Sequence, residues 1–373
     1  MHIGYLLPGF SAHADDWAIP VQQRLVRELA ATDRVTVLAL RYPHTRQRYA
    51  LEGAQIVPLG WTAQARGPDR LRLWQDARRT LERIHRESPF DVLHATWADE
   101  TGLIAARNGR RLGIPSVVSA VGGEFVGLKA HSYGNQRSRF GRWVAQQALK
   151  ADVVTAASHY LARQMRGFTA RPIEILPLGV DATCFQPGGE TGDPRLIVSA
   201  GSLVPVKDHA TLIHALAQLP DARLELIGDG PERLRLEVLT TSLGLADRVQ
   251  FSGSVTYPEM PAHYQRAAIH ALSSVHEGEG MVTLEAAACA IPTIGAAVGL
   301  LADDPALGDA VPPGDVDALA RALAALIDHS QARQAAGQRA RARVLEAYTI
   351  EQTARRLREV YAEVIAWRKP GSN

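Results

Sequence analysis

Short apolar runs alternate with longer amphipathic patterns along the first half of the chain. Runs of this kind are typical of strands buried on both faces, and apolar residues three or four positions apart are typical of helices. Strands that alternate with helices favour a parallel sheet covered by helices. The runs that predict strands are Ile3–Leu7, Val35–Leu40, Asp91–Ala95, Pro115–Ala120 and Val153–Ala156, and the patterns that predict helices are Val21–Ala31, Arg70–Glu87, Thr101–Leu112 and Arg139–Lys150.

A second series of apolar runs follows a segment between residues 176 and 194 that is rich in Pro and Gly and is typical of a linker. A length of 373 residues also suits two domains better than one. We predict an α/β protein with two doubly wound domains, residues 1–178 and 179–350, and a final helix at about 351–373 whose apolar stripe could pack back on the first domain. The second series predicts strands at Leu196–Ala200, Leu224–Ile227, Val249–Phe251, Ile269–Leu272 and Thr293–Gly295.

Ligands of doubly wound sheets bind outside the carboxyl ends of the strands. Two such domains that face each other leave a cleft, with one substrate on each domain. The segment from His276 to Ala288 predicts where one of these substrates binds. It has one carboxylate, Glu277, on a glycine-rich loop and another, Glu285, in the opening turn of an alanine-rich helix that follows. The start of that helix leaves backbone N–H groups free for a phosphate. A sugar nucleotide has hydroxyls for the carboxylates and phosphates for the amides.

Composition and charge narrow the class of protein. Only Cys184 and Cys289 are present, so there is no disulfide framework, and a reducing compartment is expected. The chain enters a strand at once, without the features of a signal peptide, and we expect a cytoplasmic protein. No apolar run is long and unbroken enough to predict a transmembrane helix.

The net charge of +2 hides a difference between the two halves of the chain. Residues 1–174 hold 22 Arg and 2 Lys against 15 acidic residues, a formal charge of +9, and the remainder carries −7. One interpretation is that the arginines form solvated helix faces with acidic partners. Alternatively, they attract an anionic membrane surface, which would make the protein peripheral at the inner face of the membrane, or a phosphate-bearing acceptor. No module for nucleic acid is apparent.

Several short motifs of the second half occur in a fixed order. They are Gly179-Val180-Asp181, Ala200-Gly201-Ser202-Leu203-Val204-Pro205-Val206-Lys207, Leu226-Ile227-Gly228-Asp229-Gly230-Pro231, Val249-Gln250-Phe251-Ser252-Gly253 and the two-glutamate segment. In this order they resemble glycosyltransferase family four, the retaining glycosyltransferases of GT-B architecture. The resemblance covers almost the whole chain. It implies two Rossmann-like lobes that face each other across a cleft, the N-terminal lobe for the acceptor and the C-terminal lobe for the nucleotide sugar.

The resemblance also implies roles for individual residues. Glu285 would bond the ribose hydroxyls, Glu277 would contact the donor sugar, and Lys207 would neutralise the diphosphate. Lys207 and Glu277 are therefore the expected catalytic pair, acting with a front-face mechanism in which a donor phosphate accepts the acceptor proton. The glutamates would be positioning groups, unlike the pair of a glycoside hydrolase. The other expected donor-binding residues are Gly9, Gly201, Ser202, Gly253, Gly278, Glu279, Gly280, Met281 and Val282.

Three positions depart from the pattern of the family. Ser202 stands where the family usually has an arginine that pairs with the diphosphate. The first-lobe histidine of the family is missing from the segment around Gly122 and Gly123, where Glu124 or His131 could compensate. Glu279 replaces an apolar or aromatic residue, which could alter the preference for a sugar. His276 beside Glu277 could be a base, although a packing role is the simpler interpretation.

The expected function is transfer of a hexose from UDP or GDP to a carbohydrate or lipid-linked acceptor, as in the assembly of cell-envelope polysaccharides, glycolipids or secondary metabolites. Neither a metal nor another cofactor is expected. Asp315 and Asp317 match an Asp-x-Asp metal motif, but Asp315 precedes a helical run and is predicted to cap it. Two alternatives remain. One is a sugar-nucleotide-binding partner subunit with weakened catalysis, which Ser202 and the missing first-lobe histidine suggest, and the other is a GT-B-like sugar-nucleotide epimerase.

Overall fold

The computed structural model describes residues 1–62, 67–189 and 192–368. Their contacts divide the chain into two compact units. The first unit contains Met1–Gly127, Gly134–Leu178 and the chain from Ile350 onward. The second contains Leu128–Tyr133 and Gly179–Thr349. The final helix therefore belongs to the first unit, although the chain reaches it only after the second.

The first unit is built on a sheet of eight strands in the order β3-β4-β2-β1-β5-β6-β7-β8. All neighbouring strands are parallel except β3 and β4, which form an antiparallel pair. The strands are β1 (His2–Gly9), β2 (Arg34–Tyr42), β3 (Tyr49–Leu51), β4 (Ala54–Pro58), β5 (Val92–Thr96), β6 (Ser116–Ala120), β7 (Val153–Ala156) and β8 (Glu174–Ile175). The first five helices are α1 (Pro20–Ala30), α2 (Pro68–Glu87), α3 (Glu100–Leu112), α4 (Arg139–Ala148) and α5 (His159–Met165).

Apolar cores cover both faces of this sheet, as expected for strands with continuous apolar runs. Helices α2, α3, α4 and α5 pack on one face through side chains such as Leu73, Ile104 and Val144. Helix α1 and the final helix, α12 (Ile350–Arg368), pack on the other. In α12 the buried residues Leu357 and Val364 lie on one stripe, so the amphipathic pattern of the sequence explains why this helix packs there.

The second unit has a sheet of six parallel strands in the order β11-β10-β9-β12-β13-β14. A single core contains residues from these strands and from the helices that pack on them, including Leu212, Leu236 and Leu323. The strands are β9 (Leu196–Ala200), β10 (Arg223–Ile227), β11 (Val249–Gly253), β12 (Ile269–Leu272), β13 (Thr293–Ala296) and β14 (Gly308–Val311). The helices are α6 (His209–Ala217), α7 (Arg233–Ser242), α8 (Met260–Arg266), α9 (Met281–Ala288), α10 (Val316–Ile327) and α11 (Ser330–Ala347).

All ten strands that the sequence predicts are present, with bounds within two residues of the prediction. The predicted helices of the first half agree equally well. The analysis missed four strands, β3, β4, β8 and β14. Three of them, β3, β8 and β14, lie at sheet edges, where the continuous apolar run of a central strand is not needed. The two doubly wound α/β sheets confirm the predicted fold class.

Candidate functional site

The second sheet has a topological switch point between β9 and β12. The chain goes from β9 outward to β10 and β11, then returns to place β12 on the other side of β9. The loops that follow these two strands therefore leave the carboxyl edge side by side, where doubly wound sheets bind ligands. Two hydrogen bonds join the loops: Val275 N donates to Val206 O at 2.8 Å, and Ser273 Oγ donates to Lys207 O at 2.9 Å.

Lys207 and Glu277 meet at this switch point. Lys207 ends a single 3₁₀ turn, Pro205–Lys207, and its Nζ lies 2.6 Å from Glu277 Oε1. Ser274 Oγ donates to the same oxygen at 2.6 Å. The side chains of Lys207 and Glu277 are partly exposed, by 24% and 13%. The structure thus brings together the two residues that the sequence predicts as a catalytic pair, and adds Ser274, which the sequence analysis did not select.

The amino end of α9 lies next to this ion pair. Gly280 precedes the helix with a φ of +90°, a conformation that glycine adopts without strain, and no side chain caps the helix. A Cβ atom built on Gly280 would lie 4.0 Å from Cβ of Glu277, so Glu277 folds back toward the helix start. The first amides of α9, including those of Met281 and Val282, give this end a partial positive charge that suits an anion.

The loop from Gly278 to Gly280 is held by its neighbours. Leu300 N donates to the carbonyl of Glu279 at 2.8 Å. The Glu279 side chain is 3% exposed, and its Oε1 accepts a hydrogen bond from Gly179 N at 3.2 Å. The structure therefore gives this carboxylate an interaction with the backbone of the preceding linker. The sequence analysis expected it among the donor-binding residues.

Glu285 lies in the second turn of α9, not in the opening turn that the sequence predicts. Its Oε2 accepts a hydrogen bond from the hydroxyl of Tyr264 at 2.9 Å. Burial raises the pKa of Glu285 to about 7, and the bond from Tyr264 opposes this rise. Near neutral pH, a modest change in its surroundings can thus convert this group between a proton donor and a pure acceptor.

Glycines shape the remaining edge of the site. Gly201 N donates to Ile227 O at 2.9 Å, and Gly228 N donates to Gly253 O at 2.8 Å. Ser202 is exposed beside this turn. A Cβ on Gly253 would lie 3.7 Å from an Nη atom of Arg233, whose guanidinium is 5.8 Å from the ring centre of Phe251. The sequence analysis missed Arg233, because only the fold places this cation beside the end of β11.

The candidate residues of the first half do not form a comparable cluster. The buried Glu124 carboxylate accepts hydrogen bonds from the amides of Ala98, Val121 and Gly122, at 3.2, 3.2 and 2.7 Å. Burial raises its pKa. This carboxylate therefore organises the loops after β5 and β6, and Gly123 begins the 3₁₀ turn that carries it. His131 is grouped with the second unit, whereas Glu124 belongs to the first.

Gly9 and His276 have close neighbours of their own. Gly9, which the resemblance places among the donor-binding residues, is the last residue of β1 and pairs with Tyr42. A Cβ on Gly9 would lie 3.0 Å from Cβ of Tyr42, so close packing explains this glycine. His276 is 3% exposed, and its ring lies 5.7 Å from that of Tyr133, which agrees with a packing role. Asp315 caps α10 by accepting from Ala318 N at 2.9 Å, as the sequence predicts.

Comparison with solved structures defines the class of fold. Sucrose-phosphate synthase from Thermosynechococcus elongatus superposes with a TM-score of 0.80 at 23% identity, over 98% of this chain and 100% of that one. Anabaena HepE in complex with UDP-glucose superposes with a TM-score of 0.75 at 18% identity, over 97% and 100%. At these identities the likeness shows the fold alone, and that fold is the GT-B architecture.

Sequence comparison defines the family. Residues 19–180 match the family described as "Glycosyl transferase 4-like domain", and residues 181–343 match "Glycosyl transferases group 1". A GDP-mannose-dependent monoacylated alpha-(1-6)-phosphatidylinositol monomannoside mannosyltransferase from Corynebacterium glutamicum is 30% identical over 75% of this chain and 78% of its own. The chain belongs to glycosyltransferase family four, which confirms the resemblance seen in the motifs.

Other relatives match over shorter segments. A GDP-mannose-dependent alpha-(1-6)-phosphatidylinositol monomannoside mannosyltransferase from Mycolicibacterium smegmatis is 33% identical over 49% of this chain and 56% of its own. An MMP alpha-(1->4)-mannosyltransferase from Mycolicibacterium hassiacum is 29% identical over 58% and 54%. The chain thus spans little more than half the length of these two proteins. No helix in the described ranges is both long and apolar enough to cross a membrane.

Proposed function

We propose that the protein is a retaining glycosyltransferase that moves a hexose from a UDP- or GDP-linked donor to a carbohydrate or lipid-linked acceptor. The second unit would bind the donor and the first unit the acceptor. The observation that carries this proposal is the contact between Lys207 and Glu277 at the switch point, beside the uncapped start of α9. A cation, a carboxylate and free helix amides in one place match the diphosphate and the hydroxyls of a nucleotide sugar.

Each group has a role that follows from its position. The α9 amides and Lys207 would hold the diphosphate, and Glu277 would accept hydrogen bonds from the donor sugar. When the donor binds, the ammonium group of Lys207 would turn toward the phosphates and weaken its contact with Glu277. Glu285 would accept bonds from the ribose hydroxyls, and the backbone around Gly253 would line the pocket of the base. Because Lys207 and the helix amides supply positive charge, the proposed reaction uses no metal.

The proposed step is a front-face substitution. The bond between the anomeric carbon and the phosphate oxygen breaks, and the acceptor oxygen bonds to that carbon on the same face. The acceptor proton passes to a phosphate oxygen of the departing diphosphate. Negative charge grows on this group, so Lys207 binds the transition state more strongly than the donor. Positioning roles for the glutamates are supported by their bonds, since Glu277 already accepts from Lys207 and Ser274.

The donor is the first thing to test. A thermal-shift panel of UDP and GDP sugars should include GDP-mannose, because three of the relatives are named as mannosyltransferases. Release of nucleoside diphosphate with acceptor, and a product with the donor's anomeric configuration, are the expected results. Donor binding without turnover would favour the weakened partner subunit that Ser202 suggests. Conversion of the sugar nucleotide without an acceptor would favour an epimerase.

Substitution of Lys207 tests the mechanism directly. We expect Lys207→Ala to lower kcat by about 10²–10³, as when one group that stabilises a transition-state anion is removed. The affinity for the nucleotide sugar, measured by calorimetry, should fall much less. Lys150→Ala is the matched control, because Lys150 is exposed in the first unit. Equal losses of affinity and kcat would show that Lys207 only anchors the bound donor.

A further inference from the structure

Four large apolar side chains cluster on α2 and α4 of the first unit. Leu71, Phe140 and Trp143 are exposed by 56%, 42% and 36%. The ring of Trp74 stacks with both aromatic residues, with ring centres 6.3 Å from Phe140 and 6.1 Å from Trp143. We call these four residues the aromatic patch. Grouped exposed apolar side chains mark an interaction surface, whereas single ones are ordinary.

The orientation of α4 accounts for the exposure. The helix buries Val144, Ala145 and Ala148 against the core, which is enough to hold it on the sheet. Its outer face carries Phe140 and Trp143, three residues apart and so on neighbouring turns of one face. The core of the unit therefore does not need these two rings. Their positions on the outside call for another explanation.

Arginines surround the aromatic patch. The Arg107 guanidinium lies 5.3 Å from the ring centre of Trp143, and that of Arg70 lies 4.5 Å from Phe140. Arg139 and Arg142, next in sequence to Phe140 and Trp143, are exposed, and so is Arg110, one turn along α3 from Arg107. None of these three forms an ion pair with a residue in the described ranges. We call these five residues the arginine rim.

Two acidic residues reduce the charge near the patch without removing it. Glu100 contacts Arg70 at 2.9 Å, and Glu82 contacts Arg111 at 2.8 Å. Both pairs join α2 to α3, and a groove of about 440 Å³ is lined by residues of the same two helices. The outer side of α4 has no such partners among the residues that the structure describes. The excess of positive charge is therefore on the face that presents Phe140 and Trp143.

We propose that the aromatic patch and the arginine rim dock on the surface of an anionic phospholipid bilayer. Tryptophan rings favour the interface between lipid headgroups and hydrocarbon, and arginines are attracted to anionic headgroups. The charge of +9 over residues 1–174 acts in the same direction. A second copy of the chain fits this surface less well, because a symmetric pair would bring the two arginine rims together. The inference rests on this surface and holds whether or not the proposed function is correct.

Vesicle sedimentation tests the proposal. The full chain is mixed with one of two kinds of vesicle. The first contains phosphatidylcholine alone, and in the second about a third of the lipid is phosphatidylglycerol. We expect binding to the anionic vesicles only, and weaker binding at high salt. Replacing two surface arginines should weaken binding about 25-fold, since each contributes roughly a fivefold factor near an anionic surface. Arg139→Gln/Arg142→Gln is the variant, and Arg321→Gln/Arg339→Gln, which removes two exposed arginines of the second unit, is the control.

A second pair of variants tests the apolar contribution. Phe140→Ser/Trp143→Ser should weaken binding, and Leu234→Ser/Val238→Ser, at exposed apolar positions on α7, should not. Affinity for a nucleotide sugar should be the same in all four variants, which separates this test from that of the proposed function. The proposal is wrong if anionic vesicles are not bound, or if each variant binds like its control. Self-association abolished by Phe140→Ser/Trp143→Ser, without vesicle binding, would instead identify a second copy as the partner.

Discussion

The proposed role of Glu285 requires an ionised carboxylate, whereas the burial of this side chain opposes ionisation. The carboxylate is proposed to accept hydrogen bonds from a ribose, which requires the ionised form for two acceptor bonds, yet burial raises its pKa to about 7. The hydroxyl of Tyr264 is the one group that the structure shows opposing this rise. Binding of a ligand through its hydroxyls would act in the same direction as Tyr264 and favour the ionised carboxylate.

This coupling predicts a pH dependence of donor affinity. As pH rises from about 6 to about 8, Glu285 loses its proton and gains acceptor capacity, so affinity for a nucleotide sugar should rise. Calorimetry over this range measures the effect. Glu285→Gln should weaken binding by about 1–3 kcal/mol at the upper pH and remove the dependence. Tyr264→Phe should move the midpoint to higher pH, because it removes the bond that lowers the pKa. A pH dependence that persists in Glu285→Gln would contradict this role.

The sequence context of the glycine loop and the helix selected Glu277 and Glu285, and the resemblance to the family selected Lys207, because all three residues lie in motifs that are local in sequence. Both residues were expected at the same site, but their direct ion pair could not be predicted from the sequence, since Lys207 and Glu277 are 70 positions apart and meet only through the adjacency of β9 and β12. Glu279 shows the reverse limit. Its place within the motif suggested a ligand contact, but its carboxylate binds the amide of Gly179, 100 positions away.

At the scale of elements, the loop before α9 is held in place by a second loop. Gly299, which follows β13, has a φ of +56°, and a Cβ atom there would lie 2.3 Å from the carbonyl oxygen of Glu279. It would also lie 3.2 Å from Cβ of Glu277. Such contacts cannot be accommodated without movement of the backbone. The position of the Glu277 carboxylate therefore depends on the absence of a side chain at Gly299.

We therefore expect Gly299→Ala to displace the loop before α9 and weaken binding of a nucleotide sugar at least tenfold, about 1.4 kcal/mol. Gly314→Ala is the control. Gly314 has a similar φ of +77°, but a Cβ there meets nothing within 4 Å. Both changes should lower Tm through the cost of a left-handed conformation, about 1 kcal/mol. Thermal unfolding and calorimetry separate the two effects. Equal nucleotide affinity in the two variants would show that the Gly299 contact does not position the site.

The elements themselves were largely predictable because each central strand is a continuous apolar run and each helix shows its own period. The short edge strands were not, since β3 and β8 have two or three residues and little burial. Gly9, the last residue of β1, shows a related limit. Glycine occurs both in loops and where two strands approach closely, and only the pairing with Tyr42 distinguishes the two.

For the molecule as a whole, a hydrogen-bond network links the last helix to the centre of the first sheet. Tyr361, on α12, has its hydroxyl 2.7 Å from Nδ1 of His94, on β5. Nε2 of His94 lies 2.9 Å from Ser119 Oγ, on β6. Tyr5 of β1 stacks on the imidazole, with ring centres 4.7 Å apart. Completion of the first unit thus depends on a helix that the chain supplies only after the second unit.

The network predicts that acid destabilises the first unit. Burial lowers the pKa of His94 to about 3, whereas the unfolded chain has a histidine pKa of about 6.5. Below pH 6.5 the imidazole of His94 is protonated in the unfolded state, whereas in the folded state it stays neutral until about pH 3. Stability is therefore full above pH 6.5 and falls by about 1.4 kcal/mol per pH unit below it. In the same unit Asp99 acts in the opposite direction, because burial raises its pKa to about 6 and favours its protonated form on folding.

Substitution at His94 isolates its share of this effect. Hydrogen exchange of the β5 amides at graded urea concentrations reports unfolding of the unit that contains His94, and we compare pH 7.5 with pH 5. His94→Gln should be less stable than the parent at pH 7.5 but should lose about 2 kcal/mol less between the two pH values. Tyr361→Phe keeps the imidazole, so it should lose about 1 kcal/mol at both pH values and retain the parent's pH dependence. If the parent and His94→Gln lose the same free energy on acidification, protonation of His94 does not limit the acid stability of the unit, and the other titrating groups must account for it.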